Sequence, residues 1–260
     1  MTYQTTNPYN GEVGKIFDEI SDAQLEASIR AADDCFRNHW RKTSFEERKA
    51  ILKRAASNMR ERSQGFAELI SLEMGKLIAQ SQGEVALCAA ILDYYADHAE
   101  AFLAPEQLAP NRGEATVESS PLGVLFGVEP WNYPYYQLVR FAAPNLMAGN
   151  VVLVKHASNV PQCALAFEGL LSDAGPPPPG AYTNLFVSKD QIGRIIDDDR
   201  VRGVALTGSE GAGAVVAARA GKNLKKTTLE LGGSDAFIVL DDAEGRPGFG
   251  KNPAFFDVTD

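Results

Sequence analysis

The chain has 260 residues, 45% of them hydrophobic and 23% charged, and its formal net charge is -9. This composition is typical of a folded globular protein, and the length allows one large α/β domain or two small ones. Acidic residues outnumber basic ones and no long run of Lys or Arg occurs, which argues against nucleic acid as a partner.

The first ten residues are polar and do not resemble a signal peptide, and no apolar stretch is long enough for a transmembrane helix. The three cysteines, Cys35, Cys88 and Cys163, lie far apart in the sequence. Scattered cysteines are typical of reduced thiols in the cytoplasm, and their spacing argues against a metal site.

The first hundred residues have the pattern of helices. Ser21 with Gln24, and Ser44 with Glu47, are two capping-box signatures, and apolar residues at helical spacing follow each of them. A third helix is predicted from about Gly83 to Phe102.

From residue 124 onward, short apolar strands alternate with helices, which predicts an α/β fold with a doubly wound, mostly parallel sheet. The predicted strands are Val124–Val128, Val151–Val154, Tyr182–Val187, Val204–Leu206, Thr227–Leu229 and Ala236–Leu240. The predicted helices are Tyr135–Met147, Pro161–Ser172, Gln191–Ile196 and Gly211–Ala220. Four consecutive prolines, Pro176–Pro179, predict an extended surface loop.

Such sheets bind ligands beyond the carboxyl ends of their strands, so the loops that follow the strands are the candidate site. The glycine-rich loop Thr207–Gly213 opens a helix, and it either cradles a phosphate or is an ordinary turn. Lys155 also ends a strand, where its side chain either binds a ribose or phosphate or is a solvated surface lysine.

Two residues in these loops have side chains suited to catalysis. Glu230 has apolar neighbours in the sequence, and an apolar environment would raise its pKa and suit a general base. Alternatively, the Glu230 carboxylate caps backbone N–H groups. Asn132 lies between Pro130 and Pro134, which would fix its amide as a donor to an oxyanion, or else it forms an Asx turn.

Arg140 lies in an otherwise apolar helix and needs an anionic partner, which is either a substrate carboxylate or an internal salt bridge. His39 and His98 are predicted on helix surfaces and His156 in a loop. Histidines dispersed in this way indicate neither a catalytic triad nor a metal site.

Together these motifs resemble the aldehyde dehydrogenase superfamily over nearly all of the sequence up to Ala243. The matching segments are Asn7–Gly11, Glu73–Lys76, Pro121–Gly123, Pro130–Asn132, Ala148–Asn150, Gly208–Ser209 and Leu229–Ser234. The segments Asp93–His98, Lys155–Val160 and Leu231–Asp235, together with Arg140, are most similar to bacterial succinate-semialdehyde dehydrogenases.

The resemblance implies a Rossmann-like NAD(P)-binding domain, and an enzyme that uses a cysteine nucleophile to oxidise an aldehyde of the succinate-semialdehyde type. It implies that Asn132 stabilises the oxyanion, that Glu230 is the base and that Arg140 contacts the substrate carboxylate. The residues it assigns to the cofactor are Trp131, Asn132, Lys155, Ser158, Gly208, Ser209 and Leu231. Because Ser158 leaves room for a 2′-phosphate that a glutamate would repel, we expect NADP to be accepted.

The resemblance places the nucleophilic cysteine after residue 260, and the segment Glu244–Asp260 does not match the family. We therefore expect an NAD(P)-binding domain at residues 1–243, a divergent tail at 244–260 and no C-terminal catalytic domain, as in a truncated or frame-shifted gene product. The three cysteines are expected to be buried structural thiols, and the chain alone to be inactive. The alternatives are a non-catalytic NAD(P)-binding fragment and one half of a split enzyme.

A β-hairpin is expected near Asn111–Leu122, where family members have a hairpin used in assembly into homo-oligomers. The hairpin's usual partner strand lies in the C-terminal part of family members. For this chain we therefore expect an unpaired strand edge with exposed apolar surface, which favours aggregation or rescue by another chain and leaves the oligomeric state open.

Overall fold

The computed structural model describes residues 2–175, 179–234 and 236 of the chain. The predicted strand Ala236–Leu240, the domain end at 243 and the tail at 244–260 lie outside the described residues, apart from Ala236. Most of the predicted proline loop does so as well. Within the described ranges, no helix is both long enough and apolar enough to cross a membrane.

The chain begins with an antiparallel hairpin of β1 (Tyr3–Thr6) and β2 (Val13–Phe17), which the sequence analysis did not predict. Tyr3 is fully buried, and its hydroxyl donates to the carbonyl of Val187 at 2.8 Å. The backbone N–H of Gln4 donates to the carbonyl of Ser158 at 3.0 Å. The hairpin is therefore anchored to segments more than 150 residues further along the sequence.

Four helices follow the hairpin. They are α1 (Asp22–Asn38), α2 (Phe45–Glu61), α3 (Ser63–Met74) and α4 (Ile78–Phe102). Both predicted capping boxes are present, with Ser21 at the start of α1 and Ser44 at the start of α2. Helix α3 was not predicted, and α4 begins at Ile78 instead of near Gly83. Gly83 is tolerated inside the long helix, where a glycine costs only about 1 kcal/mol.

A second hairpin connects α4 to the main sheet. Its strands are β3 (Glu106–Leu108) and β4 (Ala115–Val117), so the predicted position at Asn111–Leu122 was wrong by several residues. The strand-like composition of Thr116–Val117 correctly indicated β4, whereas the short, polar β3 gave no such signal. Leu108 and Val117 are exposed at 46% and 51%. The hairpin therefore leaves apolar surface uncovered in the described part of the chain.

The remaining elements form a doubly wound parallel sheet, which confirms the predicted fold class. The strands are β5 (Val124–Glu129), β6 (Val151–His156), β7 (Tyr182–Asn184), β8 (Val201–Thr207) and β9 (Lys226–Glu230). The helices are α5 (Pro134–Met147), α6 (Pro161–Asp173), α7 (Lys189–Asp197) and α8 (Glu210–Lys222). The strand order is β7-β6-β5-β8-β9, and all neighbours are parallel.

Helices cover both faces of this sheet. Helices α5 and α6 contact each other on one face, and α2, α3 and α4 pack over them as an outer layer. On the other face α1 and α8 each contact α7. The predicted N-terminal helical layer is therefore divided, because α1 packs against strands and α7, apart from the other three helices.

The strand order reverses direction between β5 and β8. The chain winds outward from β5 to β6 and β7, and then returns to the other side of β5 to form β8 and β9. Helices on either side of such a switch point diverge, which opens a crevice at the carboxyl ends of the two strands. The fold thus directs the candidate site to the ends of β5 and β8.

The central strands β5 and β6 begin side by side, and one asparagine fixes their starting points. The Asn150 side chain is buried, and its Oδ1 accepts the backbone N–H groups of Leu122 at 2.7 Å and Gly123 at 3.0 Å. Val124 and Val151 then pair in register. Two of the matching sequence segments, Pro121–Gly123 and Ala148–Asn150, therefore form one structural unit.

We predict that Asn150→Ala lowers the free energy of unfolding by about 2–4 kcal/mol, because two backbone donors lose their acceptor. Urea denaturation followed by circular dichroism measures this change. The control is Asn38→Ala, at an exposed position at the end of α1, where a change within about 0.5 kcal/mol is expected. Equal changes in the two variants would contradict the role given to Asn150.

Candidate functional site

The loops after four parallel strands meet at the carboxyl edge of the sheet. In the sheet register Glu129 pairs with His156, and Thr207 pairs with Glu230. The loops that begin at these positions contain most of the residues that the sequence analysis assigned to the site, namely Trp131, Asn132, Ser158, Gly208, Ser209 and Leu231. Lys155 and Glu230 lie at the ends of their strands, and Arg140 reaches the same edge from helix α5.

A groove with a volume of about 370 Å³ lies between helix α5 and strands β5, β8 and β9. Strand β8 lines it with the consecutive residues Gly203–Thr207, and β9 lines it with the alternate residues Lys226, Thr228 and Glu230. The lining residues include Leu125, Glu129, Arg140, Phe141, Thr207 and Glu230. The groove therefore combines an apolar floor with charged groups at its carboxyl end.

Arg140 joins two strands across this groove. Its Nη2 donates to the Thr207 hydroxyl at 3.2 Å, and its Nη1 lies 3.6 Å from Oε2 of Glu230. The arginine side chain is 34% exposed, so both contacts are accessible to water. An exposed ion pair of this kind contributes at most about 1 kcal/mol. The internal salt bridge considered for Arg140 is present, and a ligand carboxylate can compete for the same guanidinium.

Glu230 is not in the apolar environment that its sequence neighbours predicted. Its side chain is 57% exposed, and its nearest charged partner is Arg140. The neighbouring Leu229 points to the opposite face of the strand, because side chains alternate along β9. The apolar flank therefore does not enclose the carboxylate.

Glu129 is the buried acid of the site, and the sequence analysis missed it. It is 4% exposed, lines the groove, and its Oε2 has no hydrogen-bond partner among the described residues. Burial raises the pKa of Glu129 to about 8, although a hydrogen bond from Thr207 and the charge of Arg140 act in the opposite direction. The sequence feature that could have identified Glu129 is its position as the single charged residue at the end of the apolar strand Val124–Glu129.

Trp131 and Asn132 lie in the exposed loop between β5 and α5. His156 contacts the start of this loop, since its Nδ1 lies 3.2 Å from the carbonyl of Glu129. The prediction that His156 is a loop residue was wrong, because it ends strand β6 and is fully buried. Burial lowers the pKa of His156 to about 4, so the ring is neutral and can donate through Nδ1 near neutral pH.

Lys155 is buried at 8% exposure, so the interpretation as a solvated surface lysine was wrong. Its Nζ lies 5.8 Å from the centre of the Tyr3 ring. Burial lowers the pKa of Lys155, and the nearby charge of Lys189 lowers it further. Ser158 follows in the next loop, which hairpin β1–β2 anchors through Gln4. A desolvated ammonium beside a second cation favours an anionic ligand.

Gly208, Ser209 and Leu231 surround the start of helix α8. Ser209 caps the helix, with its hydroxyl accepting from the N–H of Ala212 at 3.4 Å, and Gly208 donates to the carbonyl of Glu230 at 3.0 Å. Leu231 packs on Gly213 so closely that a Cβ there would lie 2.6 Å from its Cδ2. Gly213 therefore leaves room for the Leu231 side chain against the helix.

All three cysteines are buried, as the sequence analysis expected. Burial raises the pKa of Cys35 to about 11 and holds the pKa values of Cys88 and Cys163 well above the usual value for a thiol. The nucleophilic form of cysteine is the thiolate. Burial therefore disfavours the thiolate form of all three cysteines.

A family model described as the aldehyde dehydrogenase family matches residues 1–246 of the chain. An NADP(+) succinate-semialdehyde dehydrogenase of Deinococcus radiodurans is 54% identical to it over 239 residues, which cover 92% of this chain and 50% of that protein. The chain spans about half the length of the curated relatives it matches.

Solved structures give the same result. The structure of succinic semialdehyde dehydrogenase from Streptococcus pyogenes in complex with NADP+ is 49% identical, with a TM-score of 0.88 over 93% of this chain and 53% of that chain. A second solved structure is that of Gox0499, described as giving insights into cofactor and substrate selection, and its sequence is 52% identical to this chain. Its TM-score is 0.90 over 94% of this chain and 53% of that chain.

Glu129→Gln should remove a pH dependence of stability. The unfolded chain releases the Glu129 proton near its ordinary pKa of 4.5, whereas the folded chain keeps it to about 8. Between these pH values the folded state binds one extra proton, so its free energy of unfolding falls by up to about 1.4 kcal/mol per pH unit. Urea denaturation at pH 5, 6, 7 and 8 should show that Glu129→Gln gains stability relative to the wild type as pH rises. Parallel profiles would contradict the burial of an uncharged Glu129.

Proposed function

The chain belongs to the aldehyde dehydrogenase family, and we propose that it forms the NADP-binding part of a dehydrogenase that oxidises succinate semialdehyde. The observation that carries the proposal is the position of Arg140. Its guanidinium reaches the carboxyl edge of the sheet beside Glu230, in a groove large enough for a small aldehyde. A cation at this position suits a substrate that bears a carboxylate.

The cofactor site is proposed at the loops that follow β6, β5 and β8. Lys155 supports an anionic ligand, because it is a buried ammonium in contact with an aromatic ring and close to the charge of Lys189. Ser158 would face the adenosine ribose and its 2′-phosphate. The rest of the dinucleotide would be lined by Trp131, Gly208, Ser209 and Leu231. When bound, the dinucleotide accepts a hydride. NADP is the proposed cofactor, with NAD as the weaker alternative.

The catalytic roles are proposed for Asn132 and Glu230. The Asn132 amide lies in an exposed loop held between β5 and α5, where it can donate a hydrogen bond to a developing oxyanion. Glu230 is accessible to water and can accept a proton from water or a thiol. A substrate carboxylate on Arg140 would replace Glu230 there and release that side chain for proton transfer.

The proposed reaction takes its cysteine nucleophile from outside these 260 residues. This is supported by the burial of Cys35, Cys88 and Cys163, which raises the pKa of each thiol. A cytoplasmic location would keep these thiols reduced. Assembly with further chains is proposed through the hairpin of β3 and β4, which exposes Leu108 and Val117. The chain alone would then bind the cofactor without catalysing the reaction.

The cofactor proposal predicts that Ser158→Glu weakens NADP+ binding at least about tenfold, because the new carboxylate repels a doubly charged phosphate. Binding of NAD+ should stay within about twofold, since that cofactor lacks the phosphate. Isothermal titration calorimetry of the chain with both cofactors gives the two constants. Ser172→Glu, at the other end of α6, is the matched control and should change neither. Equal losses for both cofactors would refute the role of Ser158.

The substrate proposal is tested in a hybrid in which residues 1–235 of this chain replace the matching half of the Deinococcus radiodurans relative. Arg140→Leu should raise KM for succinate semialdehyde about 10- to 100-fold, the worth of a charged hydrogen bond. The KM for butanal, which has no carboxylate, should not rise. NADPH formation followed by absorbance measures both. A wild-type hybrid that prefers butanal would contradict the proposal.

A further inference from the structure

A buried ion pair lies next to the loop of Asn132. Lys76, between helices α3 and α4, pairs through its Nζ with Oε2 of Glu84 in α4. The side chain of Lys76 is 9% exposed and that of Glu84 is fully buried. Lys76 belongs to the segment Glu73–Lys76, which matches the family but has no role in the function proposed above. An ion pair buried to this degree persists only where other groups also satisfy its charges.

The second oxygen of Glu84 caps helix α5. Its Oε1 accepts the backbone N–H of Tyr135 at 2.9 Å and that of Tyr136 at 3.2 Å. Helix α5 has no side-chain cap of its own at Tyr133, so a carboxylate from another helix satisfies its first donors. The negative charge also favours this end of the helix dipole.

Lys76 contacts the loop itself. Its Nζ lies 3.5 Å from the centre of the Tyr133 ring, which is within the range of a cation–π contact. Tyr133 follows Asn132 directly, and the carbonyl of Glu129 on the other side of the loop accepts from His156. Both ends of the short segment that bears Asn132 are therefore tied to buried groups.

We propose that Lys76 and Glu84 are positioning residues that fix the direction of the Asn132 amide through Tyr133 and the first turn of α5. The inference rests on the proposed function, because it takes Asn132 as the oxyanion donor. Neither Lys76 nor Glu84 lines the groove, so they act only through the loop. A donor must be held in place before the reaction to stabilise a developing charge effectively.

The chain offers a matched control in Glu73. This carboxylate is also buried, and it caps α6 by accepting the N–H groups of Gln162 at 3.0 Å and Cys163 at 2.9 Å. It also accepts the hydroxyl of Thr5 at 2.6 Å. Glu73 therefore resembles Glu84 in burial and in capping, but it holds a different helix, and its hydrogen bonds among the described residues go to Thr5, Gln162 and Cys163 and not to the Asn132 loop.

The experiment uses the full chain labelled with 5-fluorotryptophan, because its two tryptophans report on different regions. Trp131 precedes Asn132 in the loop, and Trp40 is buried in the core as an internal reference. In Lys76→Met the fluorine signal of Trp131 should broaden or split, while that of Trp40 stays unchanged. Hydrogen exchange at the amides of Tyr135 and Tyr136 should accelerate about tenfold, as expected from weakening one charged hydrogen bond.

Two further variants separate positioning from general stability. Lys76→Arg keeps the charge and should restore a narrow Trp131 signal. Glu73→Gln should lower thermal stability as much as Lys76→Met does, yet leave Trp131 and the exchange at Tyr135 and Tyr136 unchanged. If these probes move no more in Lys76→Met than in Glu73→Gln, the inference is overturned.

A parallel titration with NADP+ distinguishes this inference from the proposed function. If the loop loosens in Lys76→Met but no variant binds NADP+, loop positioning by Lys76 is supported and the proposed function fails. If the wild type binds NADP+ and the loop is unaffected by Lys76→Met, the proposed function stands and the positioning role of Lys76 is overturned.

Discussion

Two buried carboxylates hold the helices that border the site, and the arrangement of the carboxyl edge depends on them. Glu84 caps α5 and Glu73 caps α6, each with two bonds from backbone N–H groups. The loops just before these helices contain Asn132 and Ser158. A hydrogen bond to a charged group contributes about 1.5–3 kcal/mol, so each cap is a large fraction of a domain's net stability. Helices α3 and α4 thus fix both site loops without entering the site.

Local patterns in the sequence correctly predicted several of the helices and the alternation of strands with helices. The capping boxes at Ser21 and Ser44 start α1 and α2, and the alternation of apolar strands with helices gives the parallel sheet. Long-range contacts had no local signal. Glu84 lies 51 residues before Tyr135, and Glu73 lies 89 residues before Gln162, so nothing near either acid marked it as a helix cap. Strands β1–β3 were missed because such short strands depend on their partners more than on their composition.

The sequence predicted where the site lies, but it did not predict which of its acidic side chains is buried. Parallel strands bring the ends of β5, β6, β8 and β9 to one edge, and this places the predicted loops together. The buried acid, however, is Glu129 and not Glu230, because burial depends on which helix covers which strand. Helix α5 contacts β5, whereas β9 is the outermost strand among the described residues and Glu230 at its end is 57% exposed. Neighbours in sequence cannot report this difference.

The most direct test of the account is where NADP+ contacts the chain. Titration of the 15N-labelled chain with NADP+, followed by amide chemical shifts, reports binding residue by residue. The account predicts shifts confined to the loops at 130–133, 157–160, 208–209 and 231–234, together with the starts of α5 and α8. Shifts at the opposite edge, near Gly123 and Asn150, or no shifts at saturating NADP+, would contradict it.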